Sequence, residues 1–99
     1  MKLTREYVLE QLEQHAEELR AFGVTRIGLF GSVARGEASE DSDLDFVIEL
    51  KEYTSDAFFD TAFFLEDLFG CKVDIGTIRS IRPELKDQIL SEAVYAETI

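Results

Sequence analysis

The stretch "TRIGLFGSVARGEASEDSDLDFVIEL" (25–50) sets two apolar runs on either side of one polar connection, and that pairing constrains the fold more than any other feature. "TRIGLF" (25–30) reads as a short buried strand ended by Gly31, and "LDFVIEL" (44–50) as a second strand rich in β-branched and apolar residues. If the end of the first strand meets the start of the second across this connection, the two run antiparallel. "SDAFFDTAFFLEDLFG" (55–70) follows as a helix, with Ser55 or Asp56 near its cap and Gly70 at its end. "CKVDIGTI" (71–78) is a third strand, with Cys71 as a small strand residue. A helix between the second and third strands suits a parallel crossover, so the sheet is mixed.

Residues 4–22 read as an amphipathic helix: Val8, Leu9, Leu12, Ala16 and Leu19 recur at helical spacing, Thr4 can cap it and Gly23 stops it. His15, among Gln and Glu, reads as a solvated helix residue. "RPELKDQILSEAVYAE" (82–97) is a last helix with Pro83 in its first turn. The expected class is α+β (α/β), a small mixed sheet flanked by helices in the order α-β-(turn)-β-α-β-α. At 99 residues the chain makes one domain, 1–99, with no repeat and no linker.

Composition narrows the function classes. The net charge of −11 repels phosphate backbones and argues against direct nucleic-acid binding, while favouring cations or a basic partner. No apolar run reaches the ~20 residues of a membrane span, and the N-terminus has no signal-peptide core. A single cysteine, Cys71, excludes an internal disulfide and suits a reducing cytoplasm. Nothing near Cys71 marks it as a nucleophile.

Strand alternation points Asp43 and Asp45 the same way, with Leu44 opposite. Two neighbouring carboxylates repel unless a cation sits between them, and hard divalent ions such as Mg²⁺ take oxygen ligands. Asp74, between apolar Val73 and Ile75, is costly to bury unless paired or metal-bound; an edge strand facing water, or an ion pair with Lys72 or Arg79, would equally account for it. The parallel crossover brings Asp74 beside Asp43 and Asp45. At the other end of the connection Gly31 lets the backbone turn close to a ligand, Ser32 adds a hydroxyl, and Arg35 adds a cation that can fork onto phosphate oxygens. An ordinary turn, with Arg35 paired to Glu37 or Asp41, is the plain alternative. Glu37, Glu40 and Asp41 read as a solvated loop.

"GSVARGEASEDSDLD", with "GCKVDIGT" and the ending "RPELKDQILSEAVYA", resembles the DNA polymerase beta-like nucleotidyltransferase superfamily, most closely its minimal nucleotidyltransferase branch, whose members pair with HEPN-domain proteins. The resemblance covers nearly the whole chain. It implies that Gly31 and Ser32 hold a nucleotide triphosphate with help from Arg35. It also implies that Asp43 and Asp45 bind two Mg²⁺ ions, and that Asp74 joins the catalytic metal and helps deprotonate the attacking hydroxyl. Gly76 stands where related chains carry a bulkier residue, which would loosen the strand after Asp74. The implied activity is that of an antitoxin transferring AMP from ATP to a tyrosine of a cognate HEPN RNase toxin. Two alternatives stay open: a non-enzymatic antitoxin acting by binding, and the catalytic subunit of a small-molecule (antibiotic) nucleotidyltransferase.

Five phenylalanines, Phe58, Phe59, Phe63, Phe64 and Phe69, fall in the helix over 55–70. Phe58, Ala62, Leu65 and Phe69 form one face suited to the core. Phe59 and Phe63 extend the apolar arc beyond what one sheet face needs, so any exposed part of it is a contact site, for a partner or for self-association.

Overall fold

A computed structural model describes residues 4–37 and 43–96. Its element order is α1 (Arg5–Gln14), α2 (Ala16–Ala21), β1 (Val24–Phe30), α3 (Gly31–Ala34), β2 (Leu44–Leu50), α4 (Ser55–Phe69), β3 (Val73–Thr77), a 3₁₀ turn (Ile78–Ser80), α5 (Pro83–Glu92) and β4 (Val94–Tyr95). The sheet order is β3-β2-β1-β4. β1 and β2 pair antiparallel, with Phe30 opposite Asp45, and β2 and β3 pair parallel, with Asp45 opposite Asp74. Both strand directions agree with the sequence reading, as does the mixed α+β class.

Alternation along β2 sorts the sheet into two faces. Leu44, Phe46 and Ile48 join Ile27 and Leu29 of β1, Val8, Leu12 and Leu19 of α1 and α2, and Leu65 of α4 in one buried cluster. Phe46 is fully buried on a central strand and stacks on Phe69, centroids 6.0 Å apart. Asp45, Val47 and Glu49 point to the other face. That face is covered in part by the C-terminal segment: the Tyr95 ring lies 2.9 Å from where a Cβ on Gly28 would stand.

Several boundaries differ from the sequence reading, each for a local reason. The first helix bends at His15, whose backbone leaves the helical region (φ −109°, ψ 22°). His15 is half-buried rather than fully solvated; its ring packs edge-on to Phe64 at 5.7 Å, with Nδ1 3.7 Å from Glu18. Thr4 caps α1 as expected, its hydroxyl accepting from the Tyr7 N–H at 3.1 Å. The cap of α4 is Thr54, one residue before the expected Ser55, and it accepts from the Ala57 N–H. Cys71 lies outside β3, which begins at Val73, and β3 runs through Gly76 to Thr77, paired with Ile48, so this glycine does not end the strand.

The largest difference is at the C-terminus. The last helix stops at Glu92, and Val94–Tyr95 form an edge strand on β1, with the Ala96 N–H donating to the Ile27 carbonyl at 3.1 Å. β1 would otherwise present an unpaired row of backbone groups on that side, a long-range demand that overrides the helical spacing of 82–97.

Phe46→Ala removes the largest fully buried side chain and leaves a cavity between sheet and helices. The expected cost is about 3–5 kcal/mol, read as a lower denaturant midpoint in chemical unfolding.

Candidate active site

Gly31 directly follows β1, and its backbone has φ +79°, a region that disfavours any residue with a Cβ. A Cβ built there would collide with Asp45 Oδ2 and lie 3.2 Å from Asp45 Cγ. The glycine therefore does two things: it turns the chain out of β1 into the single helical turn α3, and it leaves space for the Asp45 carboxylate. No side chain caps α3. Its buried residues Val33 and Ala34 anchor the turn in the core, and Arg5 of α1 donates to the Ala34 carbonyl at 3.1 Å. The turn is thus held on one side by the core while its Gly31 end abuts Asp45.

Asp45 and Asp74 are register partners on adjacent parallel strands, and Asp43 precedes β2 by one residue. Side-chain alternation puts Asp45 and Asp74 on the same face. The Asp45 carboxyl is pushed above the usual carboxylate range, first by burial, then by the negative charges of Asp74 and Asp43, against a smaller opposing pull from Arg35. All the predicted charged site residues therefore act on one carboxylate. Asp74 is exposed on the edge strand β3, so its burial needs no compensation and the water-facing alternative describes its local setting. Arg79 does not pair with Asp74; its guanidinium lies 4.6 Å over the Tyr53 ring.

Arg35 is placed at the end of α3 and holds two carboxylates, Glu37 at 2.9 Å and Glu92 of α5 at 3.4 Å. The Glu37 half of this arrangement is the ion pair anticipated from sequence; Asp41, with Glu40, lies outside the described residues. Glu92 was not foreseen, because nothing in the spacing brings residues 35 and 92 together. Ser32 is half-buried in α3, its carbonyl accepting from the Glu37 N–H at 2.9 Å. Cys71 is half-buried, and burial first, then Asp43 and Glu66, push its pKa up, which disfavours a nucleophilic thiolate.

Among the described residues, no three His, Cys, Asp or Glu side chains are already gathered tightly enough to hold a metal ion. Three carboxylates without a cation repel one another, so such a gathering would itself be costly. The donor chemistry nonetheless fits a hard divalent ion: Asp43, Asp45 and Asp74 offer only oxygens, and Arg35 only partly offsets the burial and like charges around Asp45, which a cation would relieve.

A raised Asp45 pKa has a definite sign. The folded chain holds that proton to higher pH than the unfolded chain, so stability falls as pH rises from the ordinary carboxylate pKa of about 3.9 through the raised value. In metal-chelating buffer, Asp45→Asn is therefore expected to melt above the wild type at pH 7, and the difference should close below about pH 4, where Asp45 is protonated in both states. Added Mg²⁺ should raise the melting midpoint of the wild type and leave that of Asp45→Asn unchanged. Thermal scans across pH, with and without Mg²⁺, measure both effects.

Comparison with known proteins places the chain in a family. The family model for the nucleotidyltransferase domain matches residues 10–96. The protein adenylyltransferase MntA of Thermococcus cleftensis is 41% identical over 95 residues, covering 94% of this chain and 96% of that one. A solved structure provisionally described as a minimal nucleotidyltransferase superposes with a TM-score of 0.72 at 41% identity, over 87% of this chain and 93% of that one. A toxin–antitoxin crystal structure with AMP-PNP shares the fold at a TM-score of 0.71 and 23% identity, over 88% of this chain and 73% of its own. Among the described residues no helix is long and apolar enough to cross a membrane. With the domain match spanning nearly all of its length, the chain belongs to the nucleotidyltransferase domain family and is a homologue of the protein adenylyltransferase MntA.

Proposed function

We propose that this chain is a Mg²⁺-dependent protein adenylyltransferase that acts as an antitoxin, moving AMP from ATP onto a tyrosine of a HEPN-type RNase toxin. The observation that carries the reading is the juxtaposition of Gly31, Asp45 and Asp74 at one place on the sheet, by a close approach in one case and by strand register in the other. The high identity to a protein adenylyltransferase supports the choice of a protein acceptor. The fold shared with a toxin–antitoxin complex containing an ATP analogue supports the partner class and the donor.

In this reading the turn after Gly31, with Ser32, holds the triphosphate, and Arg35 exchanges its pairs with Glu37 and Glu92 for phosphate oxygens. Asp43, Asp45 and Asp74 are the residues that would hold Mg²⁺. When bound, two such ions stabilise charge on the entering and leaving oxygens of an in-line displacement at phosphorus. Asp74, exposed on the edge strand, is the residue an incoming acceptor meets first, and its carboxylate takes the proton of the attacking hydroxyl. The new bond joins the acceptor oxygen to the α-phosphorus, the bond from that phosphorus to the bridging oxygen breaks, and pyrophosphate leaves. Transfer takes place at the boundary of the sheet, where a protein side chain can reach.

The test incubates the chain with labelled ATP, Mg²⁺ and the toxin encoded beside it. Label on the toxin, lost in Asp43→Ala/Asp45→Ala, is the expected result; neutralisation of the toxin by that variant without label would replace catalysis with binding. Label only on added small molecules would place the chain with antibiotic-modifying enzymes. Asp74→Asn should lower the transfer rate by about 10²–10⁴-fold, the usual range for a lost proton acceptor. Gly31→Ala should lower it by on the order of 10²-fold, because displacing Asp45 misplaces the reacting groups. Rates of toxin labelling at saturating ATP check both.

A further inference from the structure

On the outer side of α4, Phe59 is 53% exposed and Phe63 62% exposed, their rings stacked with centroids 6.4 Å apart. Isolated exposed apolar residues are ordinary, but two stacked phenylalanines form a continuous patch. The patch continues into an open groove of about 420 Å³, lined by Tyr53, Phe58, Phe59, Ile75, Thr77 and Ser80. Leu50 of β2 and Thr54 and Ser55 of the β2–α4 connection complete its wall, and Ile75 is the next residue after Asp74, with its side chain on the other sheet face. The groove lies on the α4 side of the sheet and runs from the ends of β2 and β3 at Leu50 and Thr77 up to Ile75.

Charge identifies what covers the stacked phenylalanines; the groove beside them carries Arg79, which lies over the Tyr53 ring. Residues three and four apart are neighbours on a helix. Asp56 is therefore next to Phe59, and Asp60, Glu66 and Asp67 are next to Phe63; all four are exposed, and α4 carries no lysine or arginine. The surface has the anatomy of a protein interface, with aromatic anchors inside a charged rim. A second copy would oppose the same carboxylates against themselves, and the net charge of −11 disfavours nucleic acid and anionic membrane alike. The complement is a protein with an apolar hollow edged by Lys and Arg.

We propose that α4 and the adjoining groove are the docking surface for the protein substrate, whose basic face seats on Phe59 and Phe63 while its acceptor side chain crosses the β3 edge to Asp74. This rests on the proposed function, which supplies the identity of that substrate as the toxin. The buried side of α4 faces the core, so docking on its outer side leaves Asp45 and Asp74 on the opposite sheet face open for the reaction.

Phe59→Ser/Phe63→Ser is the direct test, since both side chains are more exposed than buried and the melting midpoint should be kept. The toxin is titrated by calorimetry against wild type, this variant, Asp60→Lys/Asp67→Lys and Asp43→Ala/Asp45→Ala. Expected are toxin binding weakened roughly tenfold or more by the Phe pair, weaker and less salt-sensitive binding by the Lys pair, and near wild-type binding by the Asp43/Asp45 pair. In AMP transfer, the Phe pair should raise the KM for toxin and leave kcat and ATP affinity unchanged. Wild-type affinity in the Phe variant, with label still transferred, overturns the docking proposal and leaves the function standing. Weakened binding in the Phe variant, with no label transferred by the wild type, supports the docking surface and overturns the catalytic reading. Sedimentation showing a wild-type dimer that the Phe variant abolishes would assign the patch to a second copy and overturn the proposal.

Discussion

The approach of Gly31 to the Asp45 carboxylate is the contact on which the arrangement of the site depends. It joins the end of β1 to the start of β2 at a distance that no other residue type allows, because a Cβ would occupy the place of an Asp45 oxygen. The antiparallel pairing of the two strands brings these ends together, with Phe30 facing Asp45 in register. The parallel pairing of β2 with β3 then adds Asp74 on the other side. One carboxylate is held between a backbone turn and a second carboxylate, and burial first, then the charges of Asp74 and Asp43, raise its pKa.

The rest of the molecule holds this point in place. The face of β2 opposite Asp45 carries Leu44, Phe46 and Ile48, all fully buried against α1, α2 and α4. Because side chains alternate, the apolar residues that fix the strand in the core also fix the direction of the acids away from it. Aromatic contacts across the helical layer, Phe22 with Phe64 at 5.4 Å and Tyr7 with Phe69 at 6.5 Å, tie α2 and α1 to α4. The Arg35–Glu92 pair links the turn to α5 across 57 positions of the chain.

The strands over 25–30 and 44–50, their antiparallel relation and the parallel position of Asp74 were legible because each rests on local patterning and a topological rule. The core face of the helix over 55–70 was likewise legible, with Leu65 fully buried and Phe58 and Phe69 packed on the cluster. Thr61, also fully buried, was not, because its hydroxyl satisfies itself locally by donating to the Ala57 carbonyl at 2.8 Å. The bend at His15 was hidden since Val8, Leu12, Ala16 and Leu19 keep an unbroken helical rhythm across it. The strand at Val94–Tyr95 was hidden because its cause, the open edge of β1, lies more than sixty residues away in the chain.

By itself, the sequence determined the acid spacing, the turn glycine and the alternating strands, since these depend on covalent periodicity and on steric limits within a few residues. Tertiary structure decided which groups Arg35 engages, where the last helix gives way to an edge strand, and which phenylalanines of α4 are left exposed. These outcomes depend on distant parts of the chain competing for the same hydrogen bonds, charges and buried area, and such competition is resolved only when the chain is folded.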